Sequence, residues 1–126
     1  DGVEDCNEAA VRLLRAPSRP ALLGRRLSEL SPPTQGGGHS SEARNREVER
    51  VLEQQGSHRF DWVHQRFDGT TLPVEVSVTH IEVGGDRRTL VAWHDLTERQ
   101  EAAEALRRSE ERLVFSQKLE ALGQLA

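Results

Sequence analysis

The side chains able to do chemistry are few and scattered. Cys6 is the single cysteine, which excludes an internal disulfide framework and a multi-cysteine zinc site and fits a reducing compartment. Five histidines stand at His39, His58, His64, His80 and His94. None pairs with another at H-x-x-x-H spacing, so the ligand pattern of a metal site is missing. His64, His80 and His94 fall on strand-like sequence and read as surface or satisfied strand histidines. Gly36-Gly37-Gly38 is not followed by Lys-Ser/Thr and has no strand before it, so it does not read as a phosphate-cradling loop. No carboxylate pair or nucleophile–base pair supports an active site, and the fragment reads as a non-enzyme with no catalytic residue and no metal site. One cluster remains, Asp95, Thr97, Glu98 and Arg99. Thr97-Glu98-Arg99-Gln100 has the form of a capping box, in which the Thr hydroxyl accepts from the Gln100 N–H and the Gln side chain from that of Thr97. Such a cap contributes about 1 kcal/mol.

Composition narrows the class further. The chain has 126 residues, the size of one domain. Its 17 Lys and Arg against 21 Asp and Glu give a net charge of -4, so no basic field draws it to nucleic acid or an anionic membrane. No apolar run approaches the roughly 20 residues that span a bilayer. The expectation is a cytoplasmic module with no nucleic-acid partner and no membrane contact. The absence of Met fits a piece cut from a longer protein.

The elements that must position these residues divide at Thr97. All five Pro and nine of the ten Gly precede it, so residues 1–97 read as short elements between turns and residues 98–126 as one long helix. Asn7 caps a short helix carrying Ala9, Ala10, Leu13 and Leu14, which ends near Pro17. Residues 23–30 form a second short helical or irregular piece, and Gly36-Gly37-Gly38 a mobile loop. A helix over 41–55 places Val48, Val51 and Leu52 on one face and stops at Gly56. The period then changes to two. Phe60 and Trp62 precede Asp68-Gly69, and Leu72, Val74, Val76 and Val78 alternate with polar residues, which specifies a hairpin. A three-residue loop, Asp68-Gly69-Thr70, sets Trp62 opposite Val76 and Phe60 opposite Val78 and gathers the apolar side chains on one face. Gly84-Gly85-Asp86 turns the chain into a third strand over 89–95.

In the tail, Glu104 and Arg108 form an i,i+4 pair, and Ala102, Leu106, Ser109, Leu113 and Ser116 follow coiled-coil spacing. Phe115, Leu119, Leu122 and Ala126 then form a stripe of different phase. A phase break of this kind marks a marginal, locally over- or underwound coiled coil. A helix of this length cannot stand alone in water on its caps and pairs, so the reading is a homodimer with Leu106, Leu113, Leu119 and Leu122 in its seam.

Asn7-Glu8-Ala9-Ala10, the Gly-centred run Leu23-Gly24-Arg25-Arg26-Leu27-Ser28-Glu29-Leu30, Asp68-Gly69 before Leu72-Pro73-Val74-Glu75-Val76, and Asp95-Leu96-Thr97 together resemble the PAS family over nearly the whole chain. Lys118-Leu119-Glu120-Ala121-Leu122-Gly123-Gln124-Leu125-Ala126 is similar to the start of the dimerisation helix of sensor histidine kinases. The phosphoacceptor His and ATP-binding domain of that family are not in this sequence. Arg15 stands where the family often has Gly. Asp1-Gly2 resembles the turn between the first two PAS strands, so the first strand is expected to be missing and one sheet edge unpaired.

The resemblance implies an α+β fold, an antiparallel sheet with short helices on one face, followed by a long C-terminal coiled-coil helix. It implies a sensory and dimerisation module, residues 1–97, whose core acts through Asp95, Thr97, Glu98 and Arg99 on a signalling helix, residues 98–126, that leads to downstream kinase domains. A ligand-free dimerisation spacer is the alternative. Flavin-binding light sensors of the family carry Cys in an Asn-Cys-Arg-Phe-Leu-Gln run; Cys6-Asn7-Glu8 departs from it, leaving Cys6 a small buried side chain. Haem-binding members use a His on the long helix before the hairpin, whereas His39 precedes that helix and His58 follows it. No cofactor is therefore required by the sequence, a small-molecule ligand is possible, and its identity is not encoded.

Overall fold

The computed structural model describes residues 2–125, with side chains as far as Glu120. The chain forms two compact units, Asp1–Leu96 and Thr97–Ala126. In the first, α1 (Glu8–Leu13) starts where the Asn7 side chain accepts a hydrogen bond from the Ala10 N–H at 3.0 Å. It ends at Leu14, which is fully buried, and the chain then leaves through Arg15 at φ 53°. That left-handed position is strained for a residue with a Cβ, and an ion pair to Asp68 holds the Arg15 side chain there.

Three single 3-10 turns follow, at Arg19–Ala21, Leu27–Leu30 and Gly36–Gly38. The last is closed at its base by a bridge between Thr34 and Ser40 and by the Gln35 N–H donating to the His39 carbonyl at 2.8 Å. The helix expected over 41–55 is α2 (Ser41–Gln55), capped by the Ser40 hydroxyl and stopped by Gly56 at φ 75°. It buries Val48 and Leu52 and half-buries Val51.

The antiparallel sheet has the order β1 (Ser57–Gln65), β2 (Thr71–Val83), β3 (Asp86–Asp95). Both connections differ from expectation in an instructive way. Trp62 stands opposite Val74 and Phe60 opposite Val76, two residues from the expected register. The loop has three residues, but they are Phe67-Asp68-Gly69: Arg66 N–H donates to the Thr70 carbonyl at 2.7 Å and Gly69 N–H to the Arg66 carbonyl at 2.9 Å. The Asp68 carboxylate fixes this choice by accepting from both the backbone N–H and the hydroxyl of Thr70, at 3.0 and 2.6 Å. A slip of two preserves side-chain parity, so the apolar face is still the one expected. At the second turn Gly84 and Gly85 both have positive φ, 58° and 85°. A two-residue loop of that kind matches the twist of its strands, and β3 therefore begins at Asp86, three residues early.

The inner face of the sheet buries Leu72, Val74, Val76 and Val78 of β2 with Trp62 and His64 of β1, against Leu14, Leu22, Leu30, Val48 and Leu52. Trp93 of β3 is half-buried against this cluster, whereas Val91 and Leu90 are 46% and 58% exposed. Among the described residues β3 is a sheet edge, and Val3 pairs instead with Gly24 and Arg25, at 2.8 and 3.0 Å. The approach is close enough that a Cβ at Gly2 would lie 2.6 Å from the Gly24 oxygen. The turn expected at Asp1-Gly2 falls partly outside the described residues.

The second unit is one helix, α3 (Thr97–Leu125), about 43 Å long at 1.5 Å per residue. Glu104 pairs with Arg107 at 2.5 Å and with Arg108 at 3.3 Å, and Arg107 with Glu111 at 3.1 Å. These pairs are exposed and add little to stability, because solvent screens them.

The hairpin loop offers a direct check. Gly69 sits at φ 89° with open space around it, so Gly69→Ala adds strain without a clash. Urea denaturation should show a loss of about 1 to 2 kcal/mol; an unchanged midpoint would contradict the loop geometry.

Candidate functional site

Alternation along β1 sends Trp62 and His64 inward and leaves the Val63 backbone at the sheet edge. All three residues are fastened to the segment 30–35. The Trp62 indole N–H donates to the Ser31 hydroxyl at 3.0 Å, and that hydroxyl donates to the Leu27 carbonyl at 2.7 Å. Gln35 acts as a short surrogate strand on the β1 edge: its Oε1 accepts from the Val63 N–H at 2.8 Å and its Nε2 donates to the Val63 carbonyl at 3.0 Å. The same Nε2 donates to Ser41 Oγ at 2.8 Å, and Ser41 Oγ donates to the Pro32 carbonyl. Gln35 and Ser41 are both buried, and a buried amide with its partners present avoids the penalty of about 1 to 3 kcal/mol for each unsatisfied group.

His64 is 0% exposed and lies 3.1 Å from the Leu30 carbonyl through Nδ1. A carbonyl only accepts, so Nδ1 carries the proton and Nε2 presents a lone pair. Burial lowers the His64 pKa to about 4, against a smaller opposing effect of the Leu30 hydrogen bond. The ring is therefore neutral at pH 7. Its Nε2 has no hydrogen-bond partner among the described residues, nor has the Trp93 indole Nε1, which is also buried. The two rings lie against each other with centroids 4.4 Å apart and planes tilted by 50°. His64 is thus not the surface or satisfied histidine expected of its strand position: it is buried, with Nδ1 paired and Nε2 without a partner among the described residues. Strand parity placed it on the inner face, and only the carbonyl of Leu30, 34 residues away, decides its tautomer.

The other candidates are ordinary. Cys6 is a free thiol, half-buried against the core. His80 is half-buried beside Thr89 and Glu53, His94 is exposed, and His58 stacks on Phe60 with centroids 5.1 Å apart. Among the described residues no group of three His, Cys, Asp or Glu is placed to hold a metal ion. No helix among them is long and apolar enough to cross a membrane.

A PAS domain family profile matches residues 1–98. The chain belongs to the PAS family. A solved structure of similar fold is the PAS domain, in complex with ethanol, of a LuxR-family transcriptional regulator from Burkholderia thailandensis. It is 25% identical, with a TM-score of 0.58 over 76% of this chain and 81% of that one. No curated protein matches the sequence. Membership makes the chain a sensory or signalling module of α+β fold.

The residues expected to relay a signal lie at the end of the PAS body and the start of the helix. Asp95 is the last residue of β3, opposite Val74. Leu96 is buried and its N–H donates to the Pro73 carbonyl at 2.9 Å. Thr97 is the first residue of α3, and Glu98 and Arg99 are exposed on its first turn. Of the expected seam, Leu106 and Leu113 are each 61% exposed and Leu119 53%; the side chain of Leu122 lies outside the described residues. Trp93, Ser31 and Gln35 carry no sequence signal of their roles, because nothing local marks a polar side chain whose partner is distant in the chain.

Neutral His64 has a signature in pH. The unfolded chain takes up a proton near pH 6.5, which the folded chain refuses until about pH 4. Its contribution to stability is thus complete above the unfolded pKa and falls by about 3 kcal/mol as pH drops from 6.5 to 4. Urea midpoints at pH 7 and pH 4.5 should therefore diverge in the parent and converge in His64→Phe. An equal divergence in both would contradict the assignment.

Proposed function

We propose that this PAS domain, residues 1–97, is the sensory and dimerisation module of a two-component sensor histidine kinase, with residues 98–126 as its signalling helix. The observation that carries the dimer is the set of large apolar side chains on α3: Leu106, Leu113, Phe115 and Leu119 are 53 to 63% exposed on a single helix. A helix of this length needs packing, and a second copy of the same stripe supplies it. The run from Lys118 to Ala126 supports the kinase context through its likeness to the dimerisation helix. The ethanol complex of the similar PAS domain supports a small uncharged ligand within the body.

In this reading a ligand, or a neighbouring domain, favours one arrangement of the PAS core through differential affinity. The short connection Asp95-Leu96-Thr97 and the first-turn residues Glu98 and Arg99 pass that bias to the paired helices. The change of phase near Phe115 gives the pair two packings of similar energy. No catalytic group is assigned to the fragment; phosphoryl transfer belongs to the downstream domains.

A second reading has one observation in its favour. The similar PAS domain comes from a transcriptional regulator, so the helix would instead lead to a DNA-binding output. Incubating the full-length parent with labelled ATP separates the two, since only the kinase becomes labelled.

Native mass spectrometry of the purified chain should report a dimer, and Leu106→Glu with Leu113→Glu should convert it to a monomer with the PAS body still folded. In the full-length parent, Thr97→Ala should change basal or stimulated autophosphorylation severalfold. A monomeric parent chain would overturn the seam, and an unaltered response in Thr97→Ala would overturn the relay.

A further inference from the structure

We infer that Pro73 fixes the point at which the last strand passes into the signalling helix, by withholding an N–H that would otherwise hold the Leu96 carbonyl to the sheet. The inference rests on the relay reading above and gives it a positioning residue. Its ground is a proline inside the central strand. β2 lies between β1 and β3, and Pro73 is its third residue, opposite Val63 of β1. Proline in a sheet is confined to edges, strand starts and bulges, because it cannot donate to the ladder. The bonding pattern shows which donor is missing. Opposite residues of an antiparallel pair alternate between exchanging both backbone bonds and exchanging none. Val63 turns both of its groups to the outer edge, where they meet the Gln35 side chain at 2.8 and 3.0 Å. Val63 and Pro73 therefore exchange none, and β1 requires nothing of the Pro73 nitrogen. On the other side the Leu96 N–H donates to the Pro73 carbonyl at 2.9 Å. Val74 stands opposite Asp95, so Pro73 stands opposite Leu96. With any other residue at this position the pair could exchange both bonds; with proline it makes one.

The missing bond is the one that would engage the Leu96 carbonyl. α3 begins at Thr97, and the residue ahead of a helix gives its carbonyl to the first intrahelical bond, here from the Gln100 N–H. Leu96 thus serves two elements. Its N–H closes the sheet and its buried side chain anchors it in the PAS body, while its carbonyl is left for the helix. A residue with an N–H at position 73 would compete for that carbonyl, lengthen the ladder by one pair and delay the helix by one residue. Each residue of delay changes the phase of the later side chains by about 100°, enough to take Leu106 and Leu113 out of their seam. Proline alone removes the competing donor and keeps the carbonyl that holds the Leu96 N–H.

The test is amide hydrogen exchange, followed residue by residue by NMR in the purified chain. It compares the parent with Pro73→Ala and with the same position carrying lactic acid, introduced by cell-free nonsense suppression. Lactic acid has the alanine side chain but an ester oxygen in place of the N–H, so it separates loss of the proline ring from gain of a donor. In Pro73→Ala the new N–H at position 73 should exchange slowly, and the Gln100 N–H should exchange about tenfold faster than in the parent, the value of one hydrogen bond. The ester should keep the parental Gln100 rate. Pro73→Val, whose side chain suits a strand, takes the place of Pro73→Ala if that variant does not fold. Rapid exchange at position 73, an unchanged Gln100 rate in the amide variant, or an equal rise in the ester would overturn the inference, the last by tracing the effect to the ring. Autophosphorylation of the full-length parent carrying Pro73→Ala separates this outcome from failure of the relay reading. A severalfold change upholds both; the expected exchange with unaltered autophosphorylation upholds the role of Pro73 and overturns the relay.

Discussion

Three consecutive residues of β1 are fastened to the segment that precedes α2, and the body depends on that seam. Trp62 bonds Ser31, Val63 bonds Gln35, and His64 bonds Leu30. The seam holds the 3-10 turn Leu27–Leu30 against the sheet and brings Leu30 into the core. It also covers the β1 edge with the Gln35 amide, where bare N–H and C=O groups would otherwise invite another strand. With β1 fixed, the alternation of β2 leaves one register that buries Leu72, Val74, Val76 and Val78 together. That register brings β3 to the position where Trp93 meets His64.

The same seam leaves the site incomplete. Buried polar groups are nearly always paired, and here Trp62 and Gln35 are. His64 has one nitrogen paired and one not, and Trp93 offers a donor with no acceptor. A protein optimised only for stability would place apolar rings at both positions. Retaining two polar rings in contact, each with an unpaired nitrogen among the described residues, therefore has a cost in stability.

Most of the architecture was legible because it follows from local chemistry. Asn7 and Gly56 bound their helices through a cap and a left-handed stop, and the period-two run of β2 fixed the buried face. The hairpin register was misjudged by two residues, since the Asp68 carboxylate, by bonding Thr70, selects which three residues form the loop. Parity survived the error, so Trp62 still faced inward. His64 could be placed on a strand from sequence, but its burial and tautomer depend on a carbonyl 34 residues away. Gln35 stands just before the Gly36-Gly37-Gly38 run, and its role at Val63 depends on a contact 28 residues distant. Side chains whose partners are local were readable; those whose partners are brought by tertiary packing were not.

The proposed relay requires that the C-terminal helices pair and that the joint around Thr97 governs how they pair. The single cysteine makes a direct measurement possible: with Cys6→Ala and Arg112→Cys, a spin label on the exposed α3 surface reports the distance between its two copies by pulsed electron resonance. The account predicts a defined inter-label distance in the parent that moves to a second value in Thr97→Ala. The same distance in the parent and in Thr97→Ala, or no coupling between labels at all, would contradict it.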